Sequence, residues 1–140
     1  MKLSAKTRYA ARILFCMARN GVSHPVSSTW LSTHTGITSQ FIEQIMQKLR
    51  TAGITNSVRG ARGGHILVKQ PKEVTIGTIL TVMEGGIELS SCLGGSDSCD
   101  RCRKCAMYEV WTELNKNFSA MVNSITIADV VNGSCPDQFC

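Results

Sequence analysis

Residues 36–68 read GITSQFIEQIMQKLRTAGITNSVRGARGGHILV, and the change of period inside them decides the fold. Phe41, Ile42, Ile45, Met46 and Leu49 recur at helical spacing after Thr38 and Ser39, both good N-cap types, and Gly53 offers a stop. From Ile54 the pattern changes to two short β-type runs, ITNSV and HILV, around Arg59-Gly60-Ala61-Arg62-Gly63-Gly64. That pattern predicts a hairpin with a glycine-rich, arginine-bearing tip. Upstream, residues 28–34 carry Trp30 and Leu31 in a short helical stretch after the His24-Pro25 break. Gly36 joins the two helices and tolerates the positive φ of a tight helix–helix turn. A short helix, a glycine turn, a capped second helix and a hairpin predict a winged helix-turn-helix.

Working outward, residues 4–20 place Tyr9, Ala10, Ile13, Leu14 and Met17 at helical spacing, with Gly21 to end the run. Downstream, a helix is expected over 76–83 before Gly85-Gly86, and another over 127–131. Between them, Met107, Val110, Trp111, Leu114, Phe118, Met121 and Val122 mark a long helix over 104–123. Too little chain remains to cover that stripe, so a second copy is expected to do so, making a homodimer. The fold class is therefore mainly α with a small β-wing, a winged helix-turn-helix plus a long dimerisation helix. The chain divides into a DNA-binding region (1–72), a connecting helix and loop (73–91), a cysteine-rich cluster-binding loop (92–105), the dimerisation and terminal helices (104–133) and a tail (134–140).

Charge is split along the chain. Residues 1–72 hold eleven Lys or Arg and one acid, Glu43, whereas 73–140 hold four bases and nine acids, giving about +10 and −5. A basic solvated face is the bland reading, but a single carboxylate in 72 residues favours a polyanion-binding surface, here double-stranded DNA. Ser39, Gln40 and Glu43, with Thr38, are expected on the groove-entering turn of the recognition helix. Gln40 suits adenine, and Glu43 suits the cytosine amino group. Glu43 could otherwise be a first-turn acid that complements the helix dipole. Arg59 and Arg62 sit on the wing, suited to a minor groove or to phosphates. Lys2, Lys6, Arg8, Lys48 and Arg50 are expected to contact phosphates, which set affinity without carrying sequence information. No run approaches a membrane span, and no signal-peptide pattern opens the chain, so a cytoplasmic protein without membrane contact is expected. No nucleophile–base or carboxylate pair suggests an enzyme.

Seven cysteines in such a compartment argue against a disulfide framework. Cys92, Cys99, Cys102 and Cys105 fall within fourteen residues that carry almost nothing apolar, so the loop needs a reason other than core burial to be ordered. Dense thiolates bind zinc or iron in a sulfide cluster. Overlapping Cys-x-x-Cys-x-x-Cys is more familiar from iron–sulfur ligation, with unliganded redox-sensing thiols as the alternative. Cys16 lies on the patterned first helix as a small core residue, and His65 is expected to pack or to contact phosphate rather than metal.

These features together resemble a known family, the IscR-type iron–sulfur cluster regulators and their nitric-oxide-sensing and cysteine-metabolism relatives. The resemblance covers about residues 1–133 and is carried by MKLSAKTRYA, GITSQFIEQIMQKLRTAGI, SVRGARGGHIL and ITIADVVN, by Cys92, Cys99 and Cys105, and by Trp111. It implies a dimeric winged-helix repressor whose long helix forms the interface, with a cluster held by those three cysteines and a variable fourth ligand. Where two-iron members have a histidine three residues after the last cysteine, this chain has Tyr108; where some relatives have an acid near the N-terminus, it has Arg8. Cys102, Cys135 before Pro136, Tyr108, water or a partner-chain residue remain open as the fourth ligand, and four available cysteines favour a four-iron over a two-iron cluster. On this reading, ligation fixes the separation of two recognition helices across half-sites roughly 34 Å apart. The rivals are a cluster-free regulator controlled by thiol oxidation or a partner enzyme and, more remotely, a small iron–sulfur electron carrier.

Overall fold

The computed structural model describes residues 3–94 and 104–133. The helices are α1 (Ala5–Asn20), α2 (Ser28–Thr35), α3 (Ser39–Thr51), α4 (Ile76–Glu84), α5 (Ala106–Ser124) and α6 (Ile127–Asn132); strands β1 (Thr55–Val58) and β2 (Gly64–Leu67) lie between α3 and α4. This is the expected mainly helical chain with a small antiparallel wing.

Local chemistry sets most boundaries. Ser4, Ser27, Thr38, Thr75 and Thr126 are extended residues whose side chains accept a backbone N–H from the first turn of α1, α2, α3, α4 and α6 respectively. Gly36 ends α2 at φ 70°, and its N–H donates to the Ser32 carbonyl, which makes the tight turn into α3. Helix α5 starts two residues later than the stripe predicts, because Cys105 is extended at φ −97°, ψ 112°. Two short 3-10 turns, Pro71–Glu73 and Ser91–Leu93, were not expected. The first follows from proline at its start and a reciprocal Gln70–Glu73 cap.

Packing centres on α1. Ala10, Ile13 and Leu14 are fully buried and join Leu31 of α2, Ile42, Ile45 and Leu49 of α3, Ile79 of α4 and Ile127 of α6 in one core. Burial of each large aliphatic side chain contributes roughly 1.5–3 kcal/mol, so this cluster dominates local caps of about 1 kcal/mol. Cys16 is buried at 1% exposure in the same core, as its place on the patterned helix predicts. Helix α5 differs. Of its 19 residues only Val122 is buried, while Met107, Val110, Trp111, Leu114 and Met121 are exposed. A two-residue bridge, Thr75↔Thr126, ties the entry of α4 to the entry of α6, through Ile76 N–H to Ile125 O at 2.9 Å and Ile127 N–H to Val74 O at 2.8 Å. Among the described residues no helix is long and apolar enough to cross a membrane.

The wing is docked rather than dangling. Strands β1 and β2 pair from Thr55↔Leu67 to Val58↔Gly64, and β2 also bridges the segment before α2. There, Val26 N–H donates to His65 O at 2.9 Å, and His65 N–H donates to Val26 O at 2.8 Å. This approach needs glycine at 64: φ is +155°, and a Cβ would lie 2.3 Å from the Val26 carbonyl oxygen. Gly64→Ala should therefore cost about 1–3 kcal/mol in a chemical melt and expose the Val26 and His65 amides to hydrogen exchange. Unchanged stability and protection would show that the wing does not depend on this bridge.

Candidate nucleic-acid interface

Helix α3 buries Ile42, Ile45, Met46 and Leu49 and so turns its other face outward. Ser39 and Gln40 are exposed on its first turn, Glu43 and Gln44 on its second. A cleft between α3 and the wing is lined by Gln40, Glu43, Gln44, Met46, Gln47, Arg50, Ser57 and His65. Arg50 Nη1 donates to Ser57 Oγ at 3.1 Å, which links the end of the helix to β1. Arg59 and Arg62 are exposed on the loop between the strands. The geometry thus brings Ser39, Gln40, Glu43 and Arg50 to one helix face beside a wing tipped with two arginines.

Glu43, the lone acid of the basic half, is held at one oxygen. Ser28 Oγ, on the first turn of α2, donates to Glu43 Oε1, and His65 Nε2 lies 3.3 Å from the same oxygen and 2.8 Å from Ser28 Oγ. The Ser28 hydrogen bond, chiefly, holds the Glu43 carboxyl below the usual glutamate range; partial burial opposes it, while the charges of His65 and Arg50 act in the same direction. Its side chain remains 59% exposed.

The expected phosphate contacts are spread more widely. Lys6 and Arg8 are exposed on α1, and Lys2 lies outside the described residues. Lys48 Nζ donates to the Met83 carbonyl at 3.2 Å, near the C-terminal end of α4, where an ammonium also suits the helix dipole. Three residues outside the expected set shape the site. Arg12 Nη1 donates to the Thr35 carbonyl at 3.0 Å, steadying the turn before α3. Ser28 and Ser57 each hold a charged side chain of α3. No local pattern marks any of the three, because each partner is distant in sequence.

The cysteine segment borders α5 at both ends. Cys92 is half-buried in the turn Ser91–Leu93, with its sulfur 2.8 Å from Ser90 Oγ. Leu89 N–H donates to Asn115 Oδ1 at 3.0 Å, which fastens this turn to α5. Cys105 is an exposed free thiol at the N-cap of α5. Cys99, Cys102, Cys135 and Cys140 lie outside the described residues, and among the described ones no group of three metal-binding side chains converges. The donor chemistry fits an iron–sulfur cluster, since cysteine sulfur stands at both borders of the segment, whereas Tyr108 is a poor replacement for thiolate and Arg8 is a cation.

Comparison with known proteins places this geometry in a family. The Rrf2 profile, described as an iron-dependent transcriptional regulator, matches residues 3–133. The chain is 31% identical over 132 residues to the HTH-type transcriptional regulator IscR of Serratia proteamaculans, covering 94% of this chain and 80% of that one. Among solved structures, T. potens IscR aligns with a TM-score of 0.77 at 30% identity, covering 100% of this chain and 93% of that one. CymR, the global cysteine regulator of B. subtilis, aligns at 0.76 and 26% identity, covering 94% and 97%. These relatives are transcriptional regulators, not enzymes. The chain belongs to the Rrf2 family of winged-helix transcriptional regulators.

Proposed function

We propose that this chain is a homodimeric DNA-binding regulator, acting as a repressor, that reports iron–sulfur or redox status through cysteines 92–105. The observation that carries the DNA-reading half is the exposed α3 face, where Gln40 and Glu43 stand beside the Arg59–Arg62 wing. The first turns of α3 enter the major groove, where Ser39 and Gln40 bond base edges and Glu43 accepts from a cytosine amino group. Arg59 and Arg62 hold the adjacent minor groove or its phosphates. Lys2, Lys6, Arg8, Lys48 and Arg50 supply phosphate contacts. Lys48 and Arg50 each keep further N–H donors beyond the one used within the chain.

The exposed stripe of α5 supports dimerisation. Met107, Val110, Trp111, Leu114 and Met121 repeat at helical spacing, and a second copy, which presents the same stripe, would cover it by two-fold symmetry.

For the sensing half, Cys92, Cys99 and Cys105, with Cys102 as the fourth, would hold the cluster, and four thiolates favour the four-iron form. When bound, such a cluster supplies a crosslink that answers to iron supply, oxygen or nitric oxide. The family's description as iron-dependent and the likeness to IscR support this reading. Within the chain, Asn115 and the Cys105 cap tie both borders of the segment to α5, so the segment's geometry bears on the helix that would set the spacing of two reading heads. Control by thiol oxidation without a cluster is the second reading, favoured by the likeness to CymR.

In mobility shifts on a panel of operator variants, Arg59→Ala should weaken binding more than about tenfold across sequences, whereas Glu43→Ala should relax preference at one position more than it weakens binding. An unchanged preference for Glu43→Ala would refute base reading. Leu114→Glu should convert the dimer to a monomer in sedimentation velocity, and a dimer that survives would place the interface elsewhere. Protein purified without oxygen should be coloured and contain iron and sulfide; a colourless, iron-free product after attempted loading would favour the thiol-only reading.

A further inference from the structure

We propose that His65 and Ser28 are positioning residues for Glu43, so that the docked strand of the wing and the first turn of α2 together set where the one carboxylate of the reading face points. This rests on the reading of Glu43 as a base contact and adds what selects its orientation. The proton accounting is restrictive. Ser28 has one hydroxyl hydrogen and donates it to Glu43 Oε1, so the 2.8 Å contact between Ser28 Oγ and His65 Nε2 requires the hydrogen on Nε2. The same N–H points toward Oε1 at 3.3 Å. Both contacts therefore fall on Oε1, leaving Oε2 of a side chain that is 59% exposed to face an incoming base.

His65 is well suited to hold this position. It is 8% exposed on β2, and its backbone is pinned on both sides of the amide by Val26. A flexible acid on α3 is thus indexed to the wing through a ring that has little freedom of its own. An arginine-bearing wing that shifts on the DNA backbone would carry His65 with it and re-aim Glu43, which couples backbone contact to base reading. Beside Glu43 and His65 the cleft holds Arg50, whose guanidinium is engaged by Ser57, and α2 contributes the neutral Ser28.

The test is selection from a random-sequence duplex pool followed by sequencing, with wild type, Glu43→Ala, Ser28→Ala, His65→Phe and His65→Gln. Glu43→Ala should flatten the preference at one base-pair position of each half-site. Ser28→Ala and His65→Phe should each reduce that same preference about threefold or more, a part of what one good base contact carries, with other positions unchanged. Combining either with Glu43→Ala should add nothing. His65→Gln, which keeps an N–H donor at that place, should retain the preference that His65→Phe loses, a rescue that a merely structural role would not give. If Glu43→Ala flattens the position while Ser28→Ala and His65→Phe both leave it at the wild-type level, the positioning role is wrong and base reading by Glu43 stands. If Glu43→Ala leaves every preference intact, base reading itself fails and the positioning role falls with it. Should His65→Phe fail to fold by circular dichroism, Ser28→Ala decides the matter on the same preference, which His65→Gln is expected to keep.

Discussion

Everything in this chain is hung on one buried helix. Ala10, Ile13 and Leu14 leave no exposed surface on the inner face of α1, and their neighbours come from α2, α3, α4 and α6. Close packing of that kind transmits displacement rather than absorbing it. The helix-turn-helix therefore cannot move independently of α4 and α6, which in turn are tied to the end of α5 through the Thr75↔Thr126 bridge. A polar clasp reinforces the join: Glu84 at the end of α4 accepts from the Ser4 N–H at 3.1 Å and from the Thr7 hydroxyl at the start of α1. Under the proposed function, a signal received near α5 would have a continuous packed path to the exposed face of α3.

The reading face itself is a balance of charge. Ten excess positive charges over residues 1–72 supply long-range attraction for a polyanion, but attraction of that sort does not distinguish sequences. Discrimination needs groups that bond base edges and that are held still while doing so. On the proposed reading Glu43 meets both conditions because α2 and β2 converge on it, since an unsupported glutamate would lose side-chain entropy on binding. There the basic surface would provide affinity, and the clasp around one carboxylate selectivity.

Much of this was legible in the residues, because the controlling signals were local. Thr38 announced a helix start, Gly36 announced the turn, and the switch from helical to alternating pattern at Ile54 announced the wing. The turn Pro71–Glu73 was missed because a three-residue cap has no periodicity to detect. Ser28, Arg12 and Ser57 were missed for a different reason: their partners lie 15, 23 and 7 residues away, and only the fold brings them together. Glu43 stood out by charge alone, yet its anchor on His65 needed the Val26 bridge, which no sequence pattern encodes. The sequence marks Lys48 as a phosphate contact, and nothing in it shows the Met83 carbonyl that the fold brings within 3.2 Å.

The exposed stripe on α5 and the paired half-sites it implies bear most directly on the central claim, that two copies of one reading head act as a unit. The decisive measurement is the symmetry of the DNA that the wild-type protein, purified without oxygen, enriches from a random pool. The account predicts a two-fold symmetric motif with half-sites about one helical turn apart, roughly 34 Å. Enrichment of a single half-site, or of no motif at all, would contradict it.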